Sequence, residues 1–161
     1  MNFSVGVWID RPVEVVVAAL MDPDNHPYWT TDLRKFEVIE GRPGEIGSIG
    51  RLHYSQKGRS YVLEDRLISS EPGKKYVSQV TGDAIAAIVE TLLDPSGSGT
   101  RMSVTWSGRG KSFALKVLLP FLRGKMVRQS QAELAKFKEL VEIRGARFGG
   151  QPDNDIQRRD T

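Results

Sequence analysis

Cysteine is absent from the 161-residue chain. That excludes disulfides, thiolate nucleophiles and cysteine-based metal sites, and it fits a reducing compartment. Histidine is scarce: His26 and His53 are the only two. No Gly-x-Ser-x-Gly elbow occurs either, so a nucleophilic triad has little to be built from. Long hydrophobic runs are missing as well. The longest, Phe113 to Leu122, is half the roughly 20 residues that a bilayer-spanning helix needs, and Lys116 interrupts it. The opening MNFSVGVWID has no basic n-region and no apolar h-region. No secretory signal is therefore expected, a cytoplasmic location is, and Asn2-Phe3-Ser4 reads as strand rather than as a glycosylation site. Charge of one sign is also lacking: 23 basic against 20 acidic residues leave a net charge of +3. So balanced a chain is not built mainly to neutralise phosphates, and no nucleic-acid partner is expected.

What is present suits one core, since the length is close to the roughly 150 residues of a single domain. Residues Asn2 to Ile9 alternate as a strand. Asp10 then offers a helix cap ahead of Pro12 and Glu14, and Val13, Val16, Val17 and Leu20 form a stripe at helical spacing. Asp22-Pro23 ends that helix, and Asn25-His26-Pro27 opens a second short one carrying Tyr28 and Trp29. From Leu33 the period changes to two. Strands are predicted at Leu33–Glu40, Ser48–Lys57, Ser60–Ser70, Lys74–Gly82, Ile85–Leu93 and Thr100–Gly108, separated by glycine- and proline-containing turns. Such short connections join antiparallel neighbours, which makes a meander. A helix from about Phe113 to Ile143 follows, with Val127, Ser130, Leu134, Phe137 and Val141 on one stripe. Thirty residues span roughly 45 Å, enough to cross a whole sheet. Pro120 is expected to bend or interrupt it.

Strand, two short helices, a six-stranded meander and one long terminal helix is a specific order. With Ile9-Asp10-Arg11-Pro12-Val13-Glu14, Asp22-Pro23, Trp29, Gly47-Ser48, Glu71-Pro72-Gly73-Lys74, Gly99-Thr100-Arg101 and Leu134-x-x-Phe137-Lys138, it resembles the START-like helix-grip superfamily, in its polyketide cyclase/dehydrase-like branch. The resemblance implies an α+β fold, in which a curved antiparallel sheet of about seven strands wraps around the long C-terminal helix. It covers about residues 2 to 143, so residues 1–144 read as one domain. The polar, glycine-containing segment 145–161 reads as a disordered tail. Members of this superfamily include enzymes, carriers and regulators, and the fold alone does not choose among them.

Strand alternation sorts the inner face from the outer. Leu52 and Tyr54 point inward while Arg51 and His53 point out. Tyr61, Leu63, Asp65 and Leu67 face in, opposite Glu64 and Arg66, and so do Tyr76, Ser78, Val80, Val89, Thr91 and Leu93. Met102, Val104 and Trp106 line the last strand, Leu122 and Met126 are expected from the helix, and Trp29 from the short helix that borders the cavity in the superfamily. Such an interior, apolar with a few phenols and hydroxyls, is how ligand pockets are built. Asp65 is the one inward carboxylate, and the candidate catalytic residue. It is either an acid/base or ligand anchor, or a carboxylate paired with Arg51, Arg66 or a tyrosine, or turned outward by a register slip of one residue.

Other motifs carry less. Asp22, Asp24, Asn25 and His26 lack the spacing of a calcium loop, and helix capping accounts for them, so no metal is expected. Ser107 to Ser112 resembles a phosphate loop but has Thr105 where a glycine is required. No cofactor is expected. The apolar stretch from Phe113 to Leu122, set among Arg109, Lys111, Lys116, Arg123, Lys125 and Arg128, suits transient membrane-surface contact through residues 109–128 or contact with a second subunit. Monomer and homodimer both remain open. The expectation is a binder of a small hydrophobic molecule (a lipid, polyketide or aromatic compound), acting as carrier or sensor. One alternative is a polyketide cyclase or aromatase whose proton shuttle is Asp65. Another is a protein-interaction or regulatory module with a collapsed cavity.

Overall fold

The computed structural model describes residues 1–150. Within them seven strands make one antiparallel sheet: β1 (Asn2–Ile9), β2 (Leu33–Glu40), β3 (Ile49–Gln56), β4 (Arg59–Glu71), β5 (Lys75–Thr81), β6 (Ile85–Ser96) and β7 (Gly99–Gly110). Their spatial order is β1-β7-β6-β5-β4-β3-β2, so the meander runs unbroken from β2 to β7 and β1 closes onto its last strand. Turn chemistry sets each register. Lys57 and Gly58 both have positive φ, 49° and 77°, the backbone of a tight hairpin that matches strand twist. They place Tyr54 directly opposite Tyr61. The loop expected at residues 95–99 is shorter than the composition suggests: Ser96 pairs with Gly99, leaving a two-residue turn. Pro95 is tolerated there because it lies at the very end of the strand.

The helices α1 (Val13–Met21) and α2 (His26–Trp29) lie between β1 and β2, joined by a 3₁₀ turn at Pro23–Asn25. Pro12, not Asp10, is the residue ahead of α1, and no side chain among the described residues caps it. The Asp10 carboxylate instead accepts a hydrogen bond from the Ser98 hydroxyl at 3.2 Å. The final helix, α3 (Phe113–Arg144), is continuous over 32 residues. It begins at Ser112, whose Oγ accepts from the Leu115 N–H at 3.2 Å. Pro120 does not interrupt it. The residue is exposed, so water can serve the carbonyl that lacks its usual donor.

Leu134, Phe137 and Val141 of α3 are fully buried against Phe3, Val5, Ile9, Met102, Val16 and Ala19. Polar contacts fix the helix along its length. The Gln131 Nε2 donates to the Gly6 carbonyl at 2.9 Å, and the Arg11 guanidinium donates to the Glu142 carbonyl. Thr100, buried, donates to the Arg11 carbonyl at 2.9 Å and so holds that arginine in place.

The tail expected from Gly145 onward does not start there. Phe148 is 1% exposed and packs edge-on against Phe137, ring centroids 5.7 Å apart. Asn25 anchors it: its Oδ1 accepts from the Phe148 N–H at 2.9 Å, while its Nδ2 donates to the carbonyls of Ala19 and Ala146. One aromatic in a polar segment is enough to bring the chain back to the core, because its burial outweighs the ordering of a few residues. The rest of the predicted tail, 151–161, lies outside the described residues.

Candidate functional site

Between the concave face of the sheet and α3 lies a cavity of about 440 Å³, within the roughly 300–1,000 Å³ of small-molecule sites. The alternation expected from the sequence puts Leu52, Tyr54, Tyr61, Leu63, Asp65, Tyr76, Ser78, Thr91, Met102, Val104 and Trp106 on its walls, joined by Trp29 from α2 and Met126 from α3. Register explains why they meet. Ser78 pairs with Val89 and Val89 with Trp106, while Tyr76 pairs with Thr91 and Thr91 with Val104, so inward side chains form rows across the sheet. His53 is turned outward toward Glu37, at 3.3 Å.

Leu122 does not line the cavity; it is 37% exposed. The cavity ends at Met126, and one turn earlier the helix has passed its rim, where Arg123 Nε donates to the Asn2 carbonyl at 3.3 Å. Tyr28 is also exposed and away from the cavity. Tyr76 lines it, but its hydroxyl already accepts the Gly73 N–H at 2.9 Å and so braces the β4–β5 turn.

Tyr54 has Tyr61, Asp65 and Glu133 as near neighbours on the wall. Tyr54 and Tyr61 stack with centroids 5.0 Å apart and planes 6° from parallel. Burial pushes the Tyr54 phenol well up, and the nearby Glu133, Tyr61 and Asp65 push it further. Asp65 is raised by burial, with a Ser78 hydrogen bond working the other way. Among the described residues it forms no ion pair with Arg51 or Arg66; Arg66 pairs with Glu64 at 3.6 Å, both half-exposed. Glu133 is raised by burial too, partly offset by hydrogen bonds from the Thr31 N–H (2.9 Å) and Gln129 Nε2 (3.3 Å). No Lys or Arg among the described residues lines the cavity. Its wall thus offers two carboxyl groups inclined to hold protons and two phenols that stay neutral, able to donate to or accept from a ligand.

His26 and Trp29 of α2 also line the cavity. His26 Nε2 lies 3.0 Å from the Leu20 carbonyl; a carbonyl only accepts, so Nε2 carries the proton and Nδ1 is free of one. Burial lowers its pKa to about 4, keeping the ring neutral. Trp29 stands edge-on to Phe137 at 5.0 Å, and its buried indole N–H has no partner within the described residues. A bound molecule with an acceptor, or a water, would satisfy it. Phe36 also enters the wall, and only because position 50 is glycine: a Cβ there would sit 2.5 Å from its ring carbons.

Glu133, Gln129, His26 and Phe36 are absent from the sequence-based set. Glu133 had a signal: it lies seven residues after Met126 and three after Ser130, on the cavity side of the helix. His26 had none, because its ring reaches inward through a short helix with no apolar periodicity. Among the described residues no group of three or more His, Asp and Glu side chains is gathered as a metal ion would need.

No curated protein sequence matches the chain. Among solved structures, a START superfamily protein from Mycobacterium smegmatis is similar at a TM-score of 0.70 and 17% identity, over 86% of this chain and 97% of that one. Ara h 8.0201 matches at 0.70 and 14%, over 88% and 97%. A Deinococcus radiodurans protein matches at 0.65 and 22%, over 89% and 98%. At these identities the likeness speaks for the fold, which is the helix-grip arrangement of sheet around α3. The family model described as polyketide cyclase / dehydrase and lipid transport matches residues 1–142, and the chain belongs to that family.

Proposed function

We propose that the domain binds a small hydrophobic molecule in this cavity (a lipid, polyketide or aromatic compound) and acts as its carrier or sensor. The observation that carries the reading is the open 440 Å³ space walled by Leu52, Leu63, Val104 and Trp106, with Tyr54, Tyr61, Asp65 and Glu133 among its few ionisable groups. Apolar burial would drive binding. About 300 Å² of ligand surface gives about 7.5 kcal/mol at 25 cal/mol per Å², before the entropy of immobilisation is subtracted. Tyr54, Tyr61 and Asp65 would orient the molecule's polar end. The open space favours a bound molecule over an interaction module with a collapsed cavity.

A second reading, cyclisation of a reactive polyketide-like chain, draws on the raised affinity of Asp65 for its proton. A carboxyl that burial inclines to keep its proton is better placed to give one to a reacting group than an ordinary ionised carboxylate. Native mass spectrometry of the purified chain, with extraction and identification of any released molecule, tests the binding reading. An apo mass unchanged by lipid and aromatic panels would sink it. Asp65→Asn then separates the two readings. A carrier keeps its ligand affinity within a few-fold, whereas a cyclase loses turnover.

A further inference from the structure

Among the described residues, nothing packs against one face of the first three turns of α3. Phe113 and Phe121 are 83% and 81% exposed, and Val117 and Leu118 are about half exposed, while Leu119 on the other side is buried. Phe113, Val117 and Phe121 follow at intervals of four, so they stand in one row along the helix. Six basic side chains frame that row, Arg109, Lys111, Lys116, Arg123, Lys125 and Arg128, and all six are exposed. None takes part in an ion pair among the described residues. No aspartate or glutamate occurs anywhere between Asp94 and Glu133. A chain of net charge +3 has therefore gathered positive charge, not ion-paired among the described residues, around its most exposed aromatic residues.

From this juxtaposition we infer that the start of α3 is a docking surface for an anionic lipid bilayer. The charge decides between occupants. A twofold contact with a second copy would set the same patch against itself, opposing one basic frame with another. A nucleic acid would meet the cations but leave Phe113, Val117 and Phe121 with no apolar phase to enter. An anionic bilayer satisfies both: headgroups neutralise the basic frame while the row of side chains enters the acyl boundary. The helix lies in the membrane plane and does not cross it, since no helix of the described residues is long and apolar enough to span. Met126, Ser130 and Glu133, on the turns that follow, line the cavity, so docking brings the cavity rim to the bilayer. The inference is independent of what the cavity holds.

The test is co-sedimentation of the full chain with vesicles of phosphatidylcholine alone and with vesicles that also contain phosphatidylserine. Binding to the second and not the first, weakening as salt rises, is expected. Phe113→Ser/Phe121→Ser should abolish it while the circular dichroism spectrum and melting temperature hold, because both rings are exposed. Lys116→Gln/Lys125→Gln should weaken it by roughly fivefold per charge removed. Three results would each overturn the inference. The first is no binding to anionic vesicles. The second is binding that the phenylalanine variant leaves intact, as for a purely electrostatic polyanion site that RNA would compete for. The third is a dimer in sedimentation velocity that the same variant dissolves, which would assign the face to a second copy.

Discussion

Replacing His26 by glutamine should remove most of one component of acid sensitivity, and its size follows from the site. In the folded chain the ring is buried, donates from Nε2 to the Leu20 carbonyl, and has its pKa lowered from 6.5 to about 4. In the unfolded chain it returns to the ordinary value. Above pH 6.5 both states are neutral there and the histidine contributes no pH dependence. As pH falls, the unfolded state takes up a proton that the folded state refuses, so stability is lost between pH 6.5 and 4. The linkage relation gives a loss of about 2 kcal/mol by pH 5 and about 3 kcal/mol by pH 4. Against a total of roughly 5–15 kcal/mol that is a large share. The substituted glutamine amide can keep the Leu20 hydrogen bond but cannot titrate. Urea unfolding of both proteins at pH 7, 6, 5 and 4 is the assay, and the quantity to read is the difference between them. Asp65 and Glu133, whose raised pKa values act in the opposite sense, cancel in that difference. It should shift by about 3 kcal/mol against the wild type as pH falls from 7 to 4. A flat difference would mean that His26 titrates normally and is not held in the buried, donating state.

Phe148→Ala should cost about 3–5 kcal/mol, lowering the melting temperature by about 2–4 °C per kcal/mol in a chain of this size; scanning calorimetry reads it, and an unchanged midpoint would remove the residue from the core. Asp65→Asn should make the ligand-free protein no less stable at neutral pH. Its advantage over the wild type should shrink in acid, because the raised pKa of the carboxyl costs the fold stability only where the group ionises; urea midpoints at pH 7 and 4 check the sign. Gly50→Ala should cost about 1–3 kcal/mol by displacing the Phe36 ring. It should also alter ligand affinity in the same titrations that test binding, whereas Gly124→Ala, with only the Arg128 side chain near its Cβ position, should do neither.

Most of the architecture is local information. Period-two alternation through residues 33–108 and the turn residues between them specify strands and antiparallel pairing, because a one-residue slip would turn Leu52, Leu63 and Val104 out to water. The observed strands accordingly start and end close to their predicted bounds, and the same alternation places Tyr54, Tyr61, Leu63 and Asp65 on the cavity wall. What depends on distant partners was not legible. The docking of Phe148 rests on Asn25, more than a hundred residues earlier, and nothing in GARFGG announces it. Leu122 has the side chain and helical phase of a cavity residue, yet the place where α3 leaves the sheet's rim excludes it. The proton affinities of Asp65, Glu133 and His26 belong to the cavity and not to their neighbours in sequence, since desolvation exists only once strands and helix have closed around them. Alternation and turn residues thus specify the walls, while the closing of sheet and helix upon each other fixes the enclosed volume and which polar groups water no longer reaches.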